Sequence, residues 1–252
     1  MLKKIILKIR RLKSIIFPVR LKNYQKYQKI FKQKNGLEVG GPSPIFSSSG
    51  LIPLYPVIPH LDGCNFNSKT VWEGKIKEGN YYNYYQKRKG YQYICEASKL
   101  DKIESNKYDF VISSNTLEHL ANPLLAIKEW LRVIKPKGYL LLIPPNKKYT
   151  FDHRRKVTKF SHLLADFKRG VDEKDLTHLE EILKLHDLLM DPGAGTRKNF
   201  KKRSKQNYQN RCLHQHVFNE KTLGKIFHYF SLEIIDLQTR KEDMVILGRK
   251  IN

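Results

Sequence analysis

Four groups of residues in this 252-residue chain carry side chains suited to binding or reaction. The first is Glu38, in the run Leu37-Glu38-Val39 ahead of Gly40-Gly41-Pro42-Ser43. A strand that ends on glycines lets a ligand lie against the backbone, because no Cβ intrudes. A carboxylate inside such a strand accepts hydrogen bonds from an amine or hydroxyl. The same glycines also suit a plain tight turn. The second group is Asn115, Glu118 and His119, just after the apolar run Tyr108 to Ser113. The near-neutral pKa of histidine suits it to general base work, and the competing role for His119 is bracing the next helix. The third group is Asp152-His153-Arg154-Arg155, His178, His186-Asp187 and His214-Gln215-His216. A His-x-His pair on a strand puts both imidazoles on one face, which suits a metal, with Asp152 and Asp187 as further ligands. None of these spacings is that of a zinc protease or finger. The expectation is therefore no metal, but a pocket lined by His and Arg for an acceptor with hydroxyl, phosphate or carboxylate groups. The fourth group, Arg197-Lys198, Lys201-Lys202-Arg203 and Lys205, is a solvated loop or an anion-binding rim.

Strands alternating with helices must position these groups. Gly36–Gly41, Val57–Asp62, Tyr91–Cys95, Tyr108–Ser113 and Gly138–Pro144 read as successive strands. The last is almost wholly apolar, as in a strand buried on both faces. Residues 122–134 carry Leu124, Leu125, Ile127, Trp130, Leu131 and Ile134 at helical spacing. This alternation predicts a mostly parallel α/β sheet. Residues 145–215 break it as a polar insertion with helices near 158–168 and 174–190. The order then returns as a helix over 220–230 and two strands, Leu232–Gln238 and Met244–Gly248, paired as an antiparallel hairpin. The organisation expected is a basic arm over 1–34 and one domain over 35–252, with 145–215 inserted as a lid on the acceptor.

Composition narrows the function classes. Forty per cent hydrophobic content supports a sizeable core and excludes a disordered chain. Three scattered cysteines with no CxxC suggest neither a disulfide framework nor a cysteine zinc site, and a cytoplasmic setting fits. No apolar run reaches the roughly 18–20 residues that span a membrane. The net charge is +24, and residues 1–34 hold twelve Lys or Arg with no acid. Leu2, Ile5, Ile6, Ile9 and Leu12 recur there at helical spacing, an amphipathic basic pattern that packs on the domain or meets an anionic membrane surface. Tyr24, Tyr27, Ile30 and Phe31 suggest a second short helix.

In combination these motifs resemble class I S-adenosylmethionine-dependent methyltransferases. The resemblance rests on the acidic glycine strand, then Tyr108–Asn115 with Leu117-Glu118-His119-Leu120. A helix ending in Trp130-Leu131-Arg132, the Lys135-Pro136-Lys137-Gly138 turn and an apolar strand complete it. It covers residues 36–145 and, in layout, the C-terminal hairpin. Pro42-Ser43, Asp152-His153-Arg154 and the His-x-His element resemble a bacterial, methyltransferase type 11-like subgroup. The resemblance implies a Rossmann-like sheet with S-adenosylmethionine as cofactor. It implies that Glu38, Gly40 and Gly41 flank the methionine part, that Asp62 binds the ribose hydroxyls, and that Glu96 and Ala97 edge the adenine. Asn115 and Glu118 then lie where cofactor and acceptor meet. The sequence departs from the pattern in lacking the third glycine and in the prolines that follow, which leaves Asn65 as an alternative to Asp62.

The reaction this implies is methyl transfer to oxygen of a small or saccharide-like acceptor. His119 and His153 are the expected catalytic residues, and Asp152, Arg154, His214 and His216 line the acceptor pocket. The alternatives are an RNA methyltransferase and a non-catalytic binding module or membrane-surface adaptor on the same fold. Charge favours the RNA reading, but Ser113-Ser114-Asn115-Thr116 stands where an Asn-Pro-Pro-Tyr type motif would serve base methylation.

Overall fold

The computed structural model describes residues 19–251. In chain order its elements are α1 (Tyr24–Phe31), β1 (Asn35–Val39), β2 (His60–Asn65), β3 (Lys69–Thr70), β4 (Gly74–Lys75), β5 (Gly79–Tyr85), β6 (Arg88–Ile94) and β7 (Tyr108–Ser114). There follow α2 (Pro123–Val133), β8 (Ile134–Ile143), α3 (Phe160–Arg169), α4 (Leu179–Leu185), α5 (Arg197–Lys205), α6 (Asn207–Asn210), α7 (Glu220–Tyr229), β9 (Leu232–Thr239) and β10 (Met244–Lys250).

Eight strands form one sheet in the order β5-β6-β2-β1-β7-β8-β10-β9. The run from β6 to β8 is parallel, and β10 pairs antiparallel with both β8 and β9. The expected mostly parallel sheet with a C-terminal antiparallel hairpin is therefore what forms. Residues Leu140 to Ile143 of β8 are buried, as their unbroken apolar run requires. Between β7 and β8, α2 begins with Pro123 inside its first turn and the Asn122 side chain accepting from the Leu125 amide, a helix start that both residues favour. Its apolar stripe, Leu124, Ile127 and Trp130, packs on one face of the sheet with Leu223 and Phe227 of α7. The Trp130 indole donates to the Ala97 carbonyl at 2.9 Å, tying α2 to the turn after β6.

The other face is covered by α1 and the proline-rich chain between β1 and β2, through Tyr27, Phe31, Phe46, Ile52, Tyr55 and Ile58. This corrects the domain boundary expected at residue 35. Tyr27 and Phe31 have no solvent exposure, and the Phe31 ring meets Phe110 of β7 edge-on at 4.7 Å. Residues 19–34 are part of the domain. The amphipathic pattern at Leu2–Leu12 lies outside the described residues. Among the described residues no helix is long and apolar enough to cross a membrane.

Several strands differ from expectation: β6 begins at Arg88 and β8 at Ile134, both earlier than their apolar runs suggest. The second expected strand runs over His60–Asn65, three residues later than its apolar content suggests, because Pro59 denies the ladder an N–H at its start. A strand not anticipated, β5, pairs antiparallel with β6 and caps the sheet edge. The expected antiparallel pair also extends to Lys250.

Candidate active site

Because β6, β2, β1, β7 and β8 run parallel, their carboxyl ends share one edge of the sheet, and ligands of open α/β sheets bind there. That edge brings together Gly40 and Gly41 after β1, Asn65 at the end of β2, and Glu96 and Ala97 after β6. Ser114, Asn115 and Glu118 lie at and after the end of β7. Gly40 is exposed and takes φ +81°, a conformation suited to glycine, and any Cβ there would collide with the Thr116 hydroxyl. Asn115 also has a positive φ and is exposed, with its amide donating to the Ile143 carbonyl at 3.0 Å.

Glu38 is wholly buried, and its carboxylate is engaged by groups of the chain itself. Its Oε2 accepts from the Tyr55 and Tyr82 hydroxyls at 2.8 and 2.6 Å, and its Oε1 accepts from the Ser43 amide at 3.0 Å. Burial pushes its pKa up to about 7, against the pull of those three donors. A Cβ on Gly41 would strike the Glu38 carboxyl and the Tyr82 hydroxyl. The carboxylate thus sets the shape of the glycine loop from beneath. Asn65 holds it from the side, its amide donating to the Gly41 carbonyl at 2.9 Å.

Asp62 is not at the ligand edge, which corrects the expected ribose role. It sits three residues before the end of β2, roughly 10 Å back at about 3.3 Å per residue. Its oxygens accept from the Tyr91 amide at 2.7 Å and from the Tyr108 hydroxyl, at the opposite end of β7, at 2.6 Å. Asn65, the alternative, occupies the end of the strand.

The inserted segment divides its candidates among three places. Asp152 and His214 join Glu118 and His119. The Asp152 Oδ2 is bonded to His214 Nδ1, and the His214 ring stands edge-on to His119 at 4.6 Å between centroids. Arg155, itself buried, donates to Asp152 and to the His214 and Gln215 carbonyls, fixing this unit. Burial works against a charge on His214, but the Asp152 carboxylate leaves its pKa above the ordinary histidine value. Burial opposes the Asp152 charge too, yet His214 and Arg155 hold its pKa down at about 2. His119 moves the other way: burial and the neighbouring His214 lower it to about 3. The His119 Nδ1–H donates to the Leu213 carbonyl at 3.0 Å, which leaves the Nε2 lone pair free.

His153 and Arg154 sit apart, both on Asp187 Oδ2 at 3.0 and 2.8 Å, so His153 is not in the catalytic cluster as expected. His216 lies in neither place. Its Nε2–H donates to the Ala121 carbonyl at 3.0 Å, and its ring faces His162 and His178. The chain from Leu213 to Phe218 is not a strand, so the two imidazoles of the His-x-His element do not share a face.

Sequence reasoning missed two members. Trp72, in the tight turn between β3 and β4, is 55% exposed and meets His119 edge-on at 5.2 Å. Arg211 pairs with Glu96 and lies over the Phe66 ring at 5.1 Å. An exposed tryptophan in a lysine-rich turn was a signal available in the sequence. The reach of Arg211 to a residue 115 positions away was not.

Three atoms at this edge are buried without a hydrogen-bond partner: Ser114 Oγ and both carboxylate oxygens of Glu118. Burial raises the Glu118 pKa to about 7, partly offset by His214. Acceptors of this kind fit a ligand that offers an ammonium group and hydroxyls, as S-adenosylmethionine does. With Gly40 open to close approach, the residues present suit that cofactor, which when bound supplies an electrophilic methyl group.

Residues 71–142 match the family described as methyltransferase domain. No curated protein matches the chain. Among solved structures, an S-adenosylmethionine-dependent methyltransferase from Mesorhizobium loti is similar with TM-score 0.52 and 10% identity, over 90% of this chain and 95% of that one. A methyltransferase from Methanosarcina mazei is similar at 17% identity and TM-score 0.47, over 92% and 99%. One from Aquifex aeolicus is similar at 14% and 0.46, over 90% and 89%. The family match spans β5 to β8, the chain shares the fold of the Mesorhizobium loti methyltransferase, and the strand-end acceptors suit the cofactor; residues 71–142 are thus similar to a methyltransferase domain on a methyltransferase-like fold.

Proposed function

We propose that the enzyme methylates a hydroxyl oxygen of a small, saccharide-like acceptor, with His214 as the general base. The observation that carries this reading is the Asp152–His214 pair set against His119 at the end of β7. Asp152 fixes the His214 tautomer, holding the proton on Nδ1 and leaving Nε2 to accept a proton, the logic of a base oriented by a carboxylate. Neutral His119 offers a second lone pair, which accepts from a neighbouring hydroxyl of the acceptor and so orients it. With the cofactor bound, the hydroxyl oxygen would form its new bond to the methyl carbon as that carbon's bond to sulfur breaks, the pair going to sulfur and the hydroxyl proton to His214.

The exposed Trp72 face beside His119 supports a sugar-like acceptor, because the apolar C–H face of a pyranose packs on an aromatic ring while its hydroxyls find the imidazoles. A group of one tryptophan and two imidazoles does not track a phosphate backbone as a nucleic-acid groove does.

The test is methyl transfer from labelled S-adenosylmethionine to a panel of saccharides and RNA. Wild type is expected to label a saccharide, with a rate that rises as pH climbs through the His214 pKa. His214→Gln should lower turnover a hundredfold or more, with cofactor affinity within twofold. Asp152→Asn should lower turnover and move the rising limb to lower pH, because the carboxylate no longer holds the imidazolium. RNA labelling without saccharide labelling, or an unchanged rate in His214→Gln, overturns the reading.

A further inference from the structure

A second cluster is built by the inserted segment and the residue that follows it, apart from Glu118, His119 and His214. His162 and Asp166 are one helical turn apart on α3, so their side chains share a face. His178 immediately precedes α4, and His216 stands on the chain leading into α7. His162 Nε2 is 3.0 Å from His178 Nε2 and 3.0 Å from Asp166 Oδ2. One ligand atom from each of the four residues lies within 4.8 Å of all the others.

Hydrogen bonds alone leave this cluster incomplete. A single Nε2 on His162 carries either one proton or one lone pair, yet two groups converge on it. His216 is 1% exposed, and its Nε2–H is committed to the Ala121 carbonyl, which leaves a bare lone pair on Nδ1. That Nδ1 is buried and has no partner. The surroundings are those of ligands held from behind. The Ala121 carbonyl fixes the His216 tautomer, Arg169 donates to the other Asp166 oxygen, and Glu181 stands 4.0 Å from His178 Nδ1. Burial lowers the pKa of His216 to about 3 and also lowers that of His178, which keeps both rings neutral.

We propose that His162, Asp166, His178 and His216 bind a divalent transition-type cation, with zinc favoured by the three-imidazole, one-carboxylate donor set. A tetrahedral ion with metal–nitrogen bonds of about 2.0–2.1 Å holds its donors about 3.3 Å apart, close to the two 3.0 Å separations at His162 Nε2. Four protein donors make a closed, structural site. The ion clamps α3, the start of α4 and the approach to α7 to one another. It also sets the position of His214, two residues before His216, through the His216 amide, which donates to the Glu118 carbonyl at 3.2 Å. The site is independent of which acceptor is methylated.

The experiment measures metal content of the full chain after zinc reconstitution and desalting, by mass spectrometry of the elements. About one zinc per chain is expected. Replacement by cobalt(II) should give the intense visible bands of tetrahedral coordination. His162→Ala and His216→Ala should each lower zinc occupancy tenfold or more, whereas His119→Ala, in the other histidine cluster, should keep it. A folded wild-type chain that retains no zinc and shows no cobalt bands overturns the site, whatever the variants do. So does loss of zinc in His119→Ala with retention in His162→Ala, which puts the ion at Glu118, His119 and His214.

Discussion

The Arg211 guanidinium, carried by the inserted segment, is ion-paired with Glu96 at the carboxyl end of β6. The same guanidinium lies 3.8 Å from buried Glu173 and covers the Phe66 ring. One side chain therefore joins the insertion to the edge where the cofactor's adenine is expected, and it neutralises a carboxylate that burial raises to about 7.

Arg211→Ala should destabilise the protein by about 3 kcal/mol at pH 8, because Glu173 is left as an uncompensated buried charge. The loss should shrink at pH 5.5, where Glu173 accepts a proton. Thermal unfolding of wild type and variant at both pH values checks this, and equal losses at the two would contradict it.

Glu38→Gln should weaken binding of S-adenosylhomocysteine about 10–100-fold, or roughly 1.4–2.7 kcal/mol, while the fold is retained. The effect is indirect. A neutral amide cannot accept from Tyr55, Tyr82 and the Ser43 amide together, so the glycine loop shifts. Titration calorimetry reads the affinity, and unchanged binding would show that the loop does not depend on this carboxylate.

Glu118→Gln should flatten the pH dependence of stability. Burial raises the folded-state pKa of Glu118 from 4.5 to about 7, so the folded protein holds more protons than the unfolded chain between those values. Its contribution is complete below pH 4.5 and is lost as pH rises through 7, a swing on the order of 3 kcal/mol. Relative to wild type without ligand, the variant's melting temperature should climb from pH 5 to pH 8. A constant difference across that range would refute the assignment.

His153→Ala should change turnover by no more than about threefold, since its imidazole is held on Asp187 away from His214. Steady-state rates beside those of His214→Gln decide between the two histidines. A hundredfold loss in His153→Ala would restore it to the catalytic group.

Phe31→Ala should cost about 3–5 kcal/mol, the usual range for emptying a buried phenylalanine site. A chain begun at residue 35 should fail to fold, because it lacks Tyr27 and Phe31 from the core. Denaturant titration and circular dichroism test both statements.

How much of this was legible in the sequence varies with the range of the interaction. The strands β1, β7 and β8 and the helix α2 announce themselves by local apolar pattern, capping and glycine placement. Gly40 and Glu118 could be set at the ligand edge from order along the chain. Asp62 could not, because Pro59 shifts β2 forward and a displacement of three residues moves a side chain from the edge to the interior. The strand β5 left a trace in its alternation, with Tyr82 and Tyr84 buried while Tyr81 and Asn83 are exposed, but a run of tyrosines and asparagines lacks the aliphatic residues that mark a strand. The pairings of Asp152 with His214, of Arg211 with Glu96 and of His162 with His178 carry no local signal. They come from the packing of an irregular insertion whose register no periodicity sets.

The fastening of that insertion has a kinetic meaning. Arg155, which ties residues 145–215 to one another, and Arg211, which ties them to Glu96 after β6, are both almost wholly buried. A flap on a surface hinge swings without disturbing the interior, but here the buried Arg211 guanidinium must part from Glu96 before the segment can lift. Lifting the segment is then expected to be a local unfolding step, in which its amide hydrogens trade with solvent in concert.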